Sequence, residues 1–218
     1  MNTQAVYPLP QPWPLKLAAR LLSYVFHPLF IPVYVSAYLI YVYPYSFAAL
    51  QPEQKGLRFI SLFIITCFFP AVTVFLLWRL KFAESIMLRT QKERIIPYVA
   101  CIIYYWWAFY VSRTLPGSPG ILTYFLLGLF LSVSVALMAN NYFKISMHGL
   151  GVGGAVAYFI LLSSVSTEHI GQALALVTVL GGMVCTARLI ISDHHPMEVY
   201  SGVFVGAICQ LVGFWVVM

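Results

Sequence analysis

Residues 121–138 read ILTYFLLGLFLSVSVALM, an uninterrupted run of eighteen residues without a charged side chain. A helix of about 20 mostly apolar residues is long enough to cross the hydrocarbon core of a bilayer. Further stretches of this character are predicted spans, at residues 21–43, 57–78, 95–111, 149–164, 173–191 and 199–217. The sequence therefore predicts an all-α, polytopic bundle of about six or seven transmembrane helices.

The composition excludes a water-soluble globule. Hydrophobic residues make up 61% of the 218 residues and charged residues only 8%, whereas soluble domains have roughly half and a quarter. The short joins between the predicted spans hold most of the polar residues, which leaves no room for a second, soluble domain. We predict an N-terminal interfacial tail over residues 1–20 and one transmembrane domain over residues 21–218.

Ionisable side chains are costly in hydrocarbon, so their placement is informative. Three clusters of them flank the apolar runs, at residues 89–94, 144–149 and 188–198. Two predicted spans separate the first cluster from the second, and two more separate the second from the third. By this parity, all three clusters lie on the same side of the membrane.

Each cluster is also predicted to begin a helix, because Pro97 and Pro196 suit a first helical turn and Ser146 suits an N-cap. Helix N-termini carry unpaired backbone N–H groups and a positive partial charge, and both attract anions. Since Arg94 and Arg188 lie in the same clusters, this side of the protein is predicted to bind phosphate.

The cations of the first cluster, Arg89, Lys92 and Arg94, have an alternative interpretation. Taken alone, they are better explained as charges that set the topology of the protein in the membrane. Arg188 differs, because it follows a long apolar helix and precedes a group of ionisable side chains. These are Asp193, His194, His195 and Glu198.

The third cluster lies within the string ARLIISDHHPMEVYSG, residues 187–202. Five residues separate Arg188 from His194, and three separate His194 from Glu198. This spacing resembles the third signature of the type 2 phosphatidic acid phosphatase superfamily, which reads Ser-Arg, five residues, His, three residues, Asp. Ala187 and Glu198 depart from it by replacing the Ser and the Asp.

Two other signatures of that family are matched in part. Its Pro-Ser-Gly-His signature resembles residues 145–148, where Ser146 and His148 are kept and Ile145 replaces the proline. Its first signature, Lys, six residues, Arg-Pro, is matched loosely by Arg89, Lys92, Arg94 and Pro97. The resemblance extends over residues 89–206.

The resemblance implies a membrane phosphatase that hydrolyses a lipid phosphate or pyrophosphate ester without a metal or other cofactor. It implies that His194 is the nucleophile and forms a phosphohistidine, that Glu198 orients its ring, and that His148 protonates the leaving group. The phosphate would be held by Ser146, Arg89, Lys92, Arg94 and Arg188. Independently of the family, metal-free hydrolysis needs a nucleophile, a proton donor and fixed positive charge, and these residues supply all three.

Two other functions remain open on the sequence. An intramembrane metalloenzyme would bind zinc through His148, His194, His195 and Glu198, but no HExxH pattern supports it. A non-enzymatic lipid transporter or binder would be expected to show inverted repeats, and none is evident. The lipid, which could be phosphatidic acid, phosphatidylglycerol phosphate or a polyprenyl pyrophosphate, and the oligomeric state also remain open.

The positions of the cations indicate what the protein binds and how it is oriented in the membrane. The net charge of +6 is carried at span ends, where it meets lipid headgroups, so a bilayer and not nucleic acid is the predicted partner. A bacterial-type inner membrane is predicted, but the side of the membrane that carries the polar clusters is not assigned. The positive-inside rule favours the cytoplasmic side for them, whereas the sites of bacterial relatives usually face outward. Outside the motif residues, the cations predicted on the motif side are Lys16, Arg20, Arg79, Lys81 and Lys144, and those predicted on the opposite side are Lys55, Arg58 and Arg113.

Two further features are interpreted as structural. Gly149 and Gly153 are predicted to allow close packing of one helix against another. His27, which lies beside Pro28 within the first predicted span, is interpreted as a hydrogen-bonded structural histidine and not as a ligand.

Overall fold

The computed structural model describes residues 11–43, 45–88, 90–191 and 195–218. Within these residues the regular structure is entirely helical, which confirms the predicted all-α bundle. The helices in chain order are α1 (Trp13–Val25), α2 (Ile31–Ala37), α3 (Pro52–Phe63), α4 (Phe69–Arg79), α5 (Gln91–Thr114), α6 (Gly120–Ala139), α7 (Met147–Val165), α8 (Gly171–Ile191) and α9 (Pro196–Val217).

Six segments of the described chain are long and apolar enough to cross a membrane. One of them, Pro52–Arg79, combines α3 and α4 through a single π turn at Ile64–Phe68. The other five are α5, α6, α7, α8 and α9. Six of the seven predicted spans are therefore confirmed, although each of these segments begins one to five residues before the predicted apolar run.

The outside of the bundle is covered by large apolar side chains. Trp107 on α5, Leu176 on α8, and Phe204 and Trp215 on α9 each expose more than half of their surface. A water-soluble monomer rarely exposes apolar surface on this scale. The chain is thus an integral, multi-pass membrane protein whose outer surface contacts the acyl chains of a bilayer.

The prediction of one continuous helix over residues 21–43 is wrong. α1 ends at Val25 and α2 begins at Ile31, so the chain leaves the helical conformation around Pro28. Proline lacks a backbone N–H and restricts the residue before it to extended conformations, and both effects end a helix. The predicted boundary between tail and transmembrane domain, at residue 20, falls inside α1.

This break does not affect the predicted parity, because α1 and α2 precede all three polar clusters in the chain. After the break, the chain runs along α7. Ile31 packs against Gly151 near the start of α7. Tyr38 lies with its ring centroid 5.0 Å from that of Phe159. The hydroxyl of Tyr43 is then 2.8 Å from Ser166 Oγ, at the far end of α7. α2 and the π turn that follows it, Tyr38–Val42, thus lead the chain from one end of the bundle towards the other.

α7 and α9 pack against each other in parallel, with glycines at the points of closest approach. A Cβ atom on Gly149 would lie 2.5 Å from the carbonyl oxygen of Val199, and one on Gly202 would lie 2.6 Å from that of Ser146. Real Cβ atoms do not approach backbone this closely, so only glycine fits at these positions. The predicted small-residue interface of α7 is confirmed, and it places the first turns of both helices side by side.

We expect Gly202→Ala to lower the thermal stability of the protein in detergent, because the added methyl group meets the backbone of α7 and would push the two helices apart. Overpacking of this kind typically costs about 1–3 kcal/mol. Gly182→Ala is the matched control, since a Cβ atom on this α8 glycine meets nothing within 4 Å. Equal melting temperatures for the two variants would contradict the close α7–α9 contact.

Candidate functional site

The first turns of α5, α7 and α9 lie at one end of the bundle. Gln91 Nε2 donates to the Asn140 carbonyl at 2.8 Å, and Asn140 Nδ2 donates to the Gln91 carbonyl at 2.9 Å. The Ser146 N–H donates to the Glu198 carbonyl at 3.0 Å. These bonds tie the start of α5 to the end of α6, and the start of α7 to the first turn of α9. The predicted convergence is confirmed, and we call this end of the bundle the site end.

α5 begins earlier than the sequence predicted. Thr90 caps it, because Thr90 Oγ1 accepts the Glu93 N–H at 3.3 Å while Glu93 Oε2 accepts the Thr90 N–H at 3.1 Å. This reciprocal pair starts the helix at Gln91, so the prediction that Pro97 lies in the first turn is wrong. As a result, Lys92 lies in the first turn of α5, where its side chain is exposed.

Arg94 joins α5 to the segment that precedes α7. Its Nε donates to the Leu88 carbonyl at 2.9 Å, and its Nη1 donates to the Ile145 carbonyl at 3.3 Å. The second bond holds the guanidinium next to Ser146. A guanidinium has five N–H groups, so these two bonds orient Arg94 without using its whole donor capacity.

Ser146 is fully buried and is the N-cap of α7, as predicted. Its Oγ accepts the Gly149 N–H at 3.3 Å, and its relative exposure is 0%. A hydroxyl that accepts one hydrogen bond still has its own O–H to donate. The structure therefore gives Ser146 a capping role, with its hydroxyl beneath the surface of the site end.

His148 is the second residue of α7 and is buried. Its Nε2 lies 3.0 Å from the carbonyl oxygen of Ser23, a residue of α1. Because a carbonyl oxygen can only accept, Nε2 carries the hydrogen of this bond. A proton that His148 exchanges with a substrate would therefore have to be carried on Nδ1.

His27, which the sequence analysis interpreted as a hydrogen-bonded structural histidine, lies beside His148, and its Nδ1 accepts the Leu29 N–H at 3.3 Å. Its ring stands edge-to-face on that of His148, with centroids 5.4 Å apart and an interplanar angle of 84°. Arg188, in the last turn of α8, lies close enough to affect its charge. The pKa of His27 is lowered, first because packed protein surrounds the ring and second because Arg188 repels a positive charge there. A large share of the His27 surface nevertheless remains exposed to solvent, and solvent screening weakens both effects.

In the sequence this position is a histidine inside an apolar run, beside Pro28. No motif linked His27 to His148, because the two are far apart in the chain. They are brought together by the break between α1 and α2, which places His27 beside the start of α7.

α9 begins at Pro196, as predicted. Glu198 Oε2 accepts the N–H of His195 at 3.2 Å, so this carboxylate caps the helix. A carboxylate can accept further hydrogen bonds, so this capping role is compatible with the predicted task of orienting a catalytic ring. The predicted partner for that role, His194, lies outside the described residues, as does Arg89.

The structure thus assembles most of the predicted site residues that it describes. Arg94, Ser146, His148, Arg188 and Glu198 come from four helix ends and the segments beside them, and they meet at the site end with exposed Lys92. In the described part of the chain, no group of three or more His, Cys, Asp or Glu side chains could hold a metal ion. The zinc alternative includes His194, which lies outside the described residues.

A cleft of about 410 Å³ lies at the opposite end of the bundle, between α3, α5 and α6. Arg58 lines it and donates hydrogen bonds to Ser118 Oγ and the Pro116 carbonyl. It contains none of the predicted site residues. No protein-family model matches this chain, and no match was found among curated proteins or among solved structures.

Proposed function

We propose that this chain is an integral membrane phosphatase of the type 2 phosphatidic acid phosphatase superfamily. It hydrolyses a phosphate or pyrophosphate ester of a membrane lipid through a phosphohistidine. The observation that carries the proposal is the meeting of three helix N-termini at the site end with His148 and Arg188 beside them. The resemblance further implies an inner membrane of bacterial type.

The charges of the site end suit a phosphate group. Three helix N-termini contribute positive partial charge, and cations on α5 and α8 add full charges. Arg94 and Arg188 present planar guanidinium groups, which can bind two phosphate oxygens at once and stay protonated. An anion at this end would therefore be stabilised without a metal ion.

The reaction has two steps. In the first, a ring nitrogen of His194 attacks phosphorus, a P–N bond forms, and the bond from phosphorus to the lipid oxygen breaks. His148 gives its proton to that oxygen, so that the lipid leaves as an alcohol, or as a monophosphate if the substrate is a pyrophosphate. In the second, water attacks phosphorus, His148 takes the proton of the water, and the P–N bond breaks to release inorganic phosphate.

The contact between His148 and Ser23 supports this proton transfer. The Ser23 carbonyl holds Nε2–H in place, which fixes the ring and makes Nδ1 the nitrogen that gains and loses the proton. Because His148 lies in the first turn of α7, that nitrogen is near the membrane surface, where a lipid headgroup resides. A water-soluble phosphate ester could contact the same groups, but it has no lipid chains to hold it in the bilayer.

The proposal is tested by measuring phosphate release from purified protein in detergent. The panel of substrates is phosphatidic acid, phosphatidylglycerol phosphate and a polyprenyl pyrophosphate. His169→Ala is the matched control, because this exposed histidine lies at the opposite end, between α7 and α8. Absence of release from every member of the panel would reject the proposed function.

We expect the activity to be unchanged by a chelator and inhibited by vanadate. Protein cations and helix ends already provide the positive charge that a metal ion would supply, and vanadate can mimic the five-coordinate phosphorus of the reaction. Phosphate release is measured with and without chelator, and then over a vanadate series. Activity lost in chelator and restored by zinc would instead support a metalloenzyme.

A further inference from the structure

The ring contact between His27 and His148 places two imidazoles where both cannot be charged at low cost. Their centroids are 5.4 Å apart, and like charges at this distance repel. In such a pair the local surroundings decide which ring carries a proton. Pairs whose surroundings separate the two pKa values are common in proton-transfer sites.

Three features make His27 the neutral member. The Leu29 N–H donates to His27 Nδ1 at 3.3 Å, and only an unprotonated nitrogen can accept this bond. Arg188 places a permanent positive charge nearby, and this charge, together with the partial burial of the ring, disfavours a second one. The neutral ring therefore has its hydrogen on Nε2.

The groups around His148 differ from those around His27. The Ser23 carbonyl accepts from Nε2, and a carbonyl dipole oriented in this way favours a protonated ring. A neutral ring beside a protonated His148 also adds no like charge to it. Among the described residues, Arg188 from α8 is the charged group that acts on the His27 ring.

We propose that His27 is a positioning residue of this site: a neutral imidazole that holds the ring of His148 and leaves the exchangeable proton on His148. This inference rests on the proposed function for its role in catalysis. It goes further by assigning a task to the segment between α1 and α2, which none of the three signatures covers. The break at Pro28 thus places a ring beside the general acid.

Substitutions at His27 separate this role from others. His27→Phe keeps a neutral ring against His148, so we expect its kcat on lipid phosphate to stay within about tenfold of wild type. His27→Ala removes the ring, and misplacement of a catalytic group can lower kcat on the order of 10²-fold. The loss in His27→Ala should be much smaller on an activated aryl phosphate, because its leaving group hardly needs the proton of His148.

Several outcomes would overturn the proposal. If His27→Phe loses as much activity as His27→Ala, the nitrogens of His27 act directly and not through His148. If His27→Ala loses the same share on lipid and aryl phosphate, its effect is not on proton transfer. Wild-type activity in His27→Ala would mean that the contact has no role. Melting temperatures of both variants, compared with that of His169→Ala, show whether a loss comes from unfolding.

A measurement that needs no activity tests the charge assignment. Histidine side chains labelled with ¹³C and ¹⁵N report their tautomer and charge by NMR in detergent, and the His27→Phe and His148→Ala variants assign the signals. We expect His27 to remain a neutral Nε2–H tautomer from about pH 5.5 to 8. A His27 signal that titrates in this range would overturn the inference. If the panel shows no phosphatase activity but His27 stays neutral, the proposed function fails while the pairing stands.

Discussion

His194→Ala is expected to abolish phosphate release from lipid phosphates and from an activated aryl phosphate alike, by about 10⁴-fold or more. Without its nucleophile the protein cannot form the P–N bond, whatever group is leaving. His148→Ala is expected to lose about 10²–10⁴-fold on lipid phosphates. On the aryl phosphate it should keep a much larger share of its activity.

The difference follows from the leaving groups. A lipid alkoxide is a strong base and leaves poorly unless it is protonated, so the general acid matters greatly. A nitrophenolate is a weak base and leaves without a proton. Under Brønsted behaviour the importance of a general acid therefore falls as the leaving group improves, whereas the importance of the nucleophile does not.

The measurement is kcat/KM for both substrates in wild type, His194→Ala, His148→Ala and the His169→Ala control. Equal losses for the two site variants on both substrates would contradict the assigned roles. The reverse behaviour, with His194→Ala rescued by the aryl phosphate, would mean that acid and nucleophile have been exchanged.

Arg188→Lys is expected to lower kcat/KM by about 10²–10³-fold, although the charge is kept. A lysine ammonium is a compact point charge and cannot make the two parallel hydrogen bonds of a guanidinium to phosphate. The position of Arg188 beside His27 adds a second reason. A flexible ammonium would place the same charge at a different position relative to the His27–His148 pair.

Arg113→Lys is the matched control for this substitution. Arg113 lies in the last turn of α5, at the end opposite the site, and its side chain is exposed. We expect its kcat/KM to match that of wild type. If Arg188→Lys behaves like Arg113→Lys, Arg188 is a surface cation and the bidentate phosphate contact is wrong.

The fold was largely predictable, because a bilayer imposes a length and an apolar character on each span. Six spans and the common side of the three polar clusters follow from that constraint. The break at Pro28 was not recognised, since hydropathy averages over a window and does not register two short helices that share one apolar run. The early start of α5 was missed for a similar reason: the Thr90–Glu93 cap precedes the apolar run that marked the helix.

The candidate site was predictable only in part. The spacing from Arg188 to His194 and Glu198 is local to one segment and can be read along the chain. The contact of His148 with Ser23 and His27 joins residues more than a hundred positions apart, and no periodicity encodes it. The bonds from Arg94 to the Leu88 and Ile145 carbonyls likewise depend on how α5 meets the start of α7.

By itself, the sequence determined that this protein is a multi-pass helical bundle and that its polar clusters share one side of the membrane. Both follow from the energetic cost of placing polar groups in hydrocarbon, which acts on every residue separately. Only the tertiary structure decided which side chains touch at that end. The glycines of α7 and α9 allow their backbones to approach, and the break before α2 brings His27 onto His148. Such contacts depend on the packing of distant segments, and so they appear only once the helices are assembled.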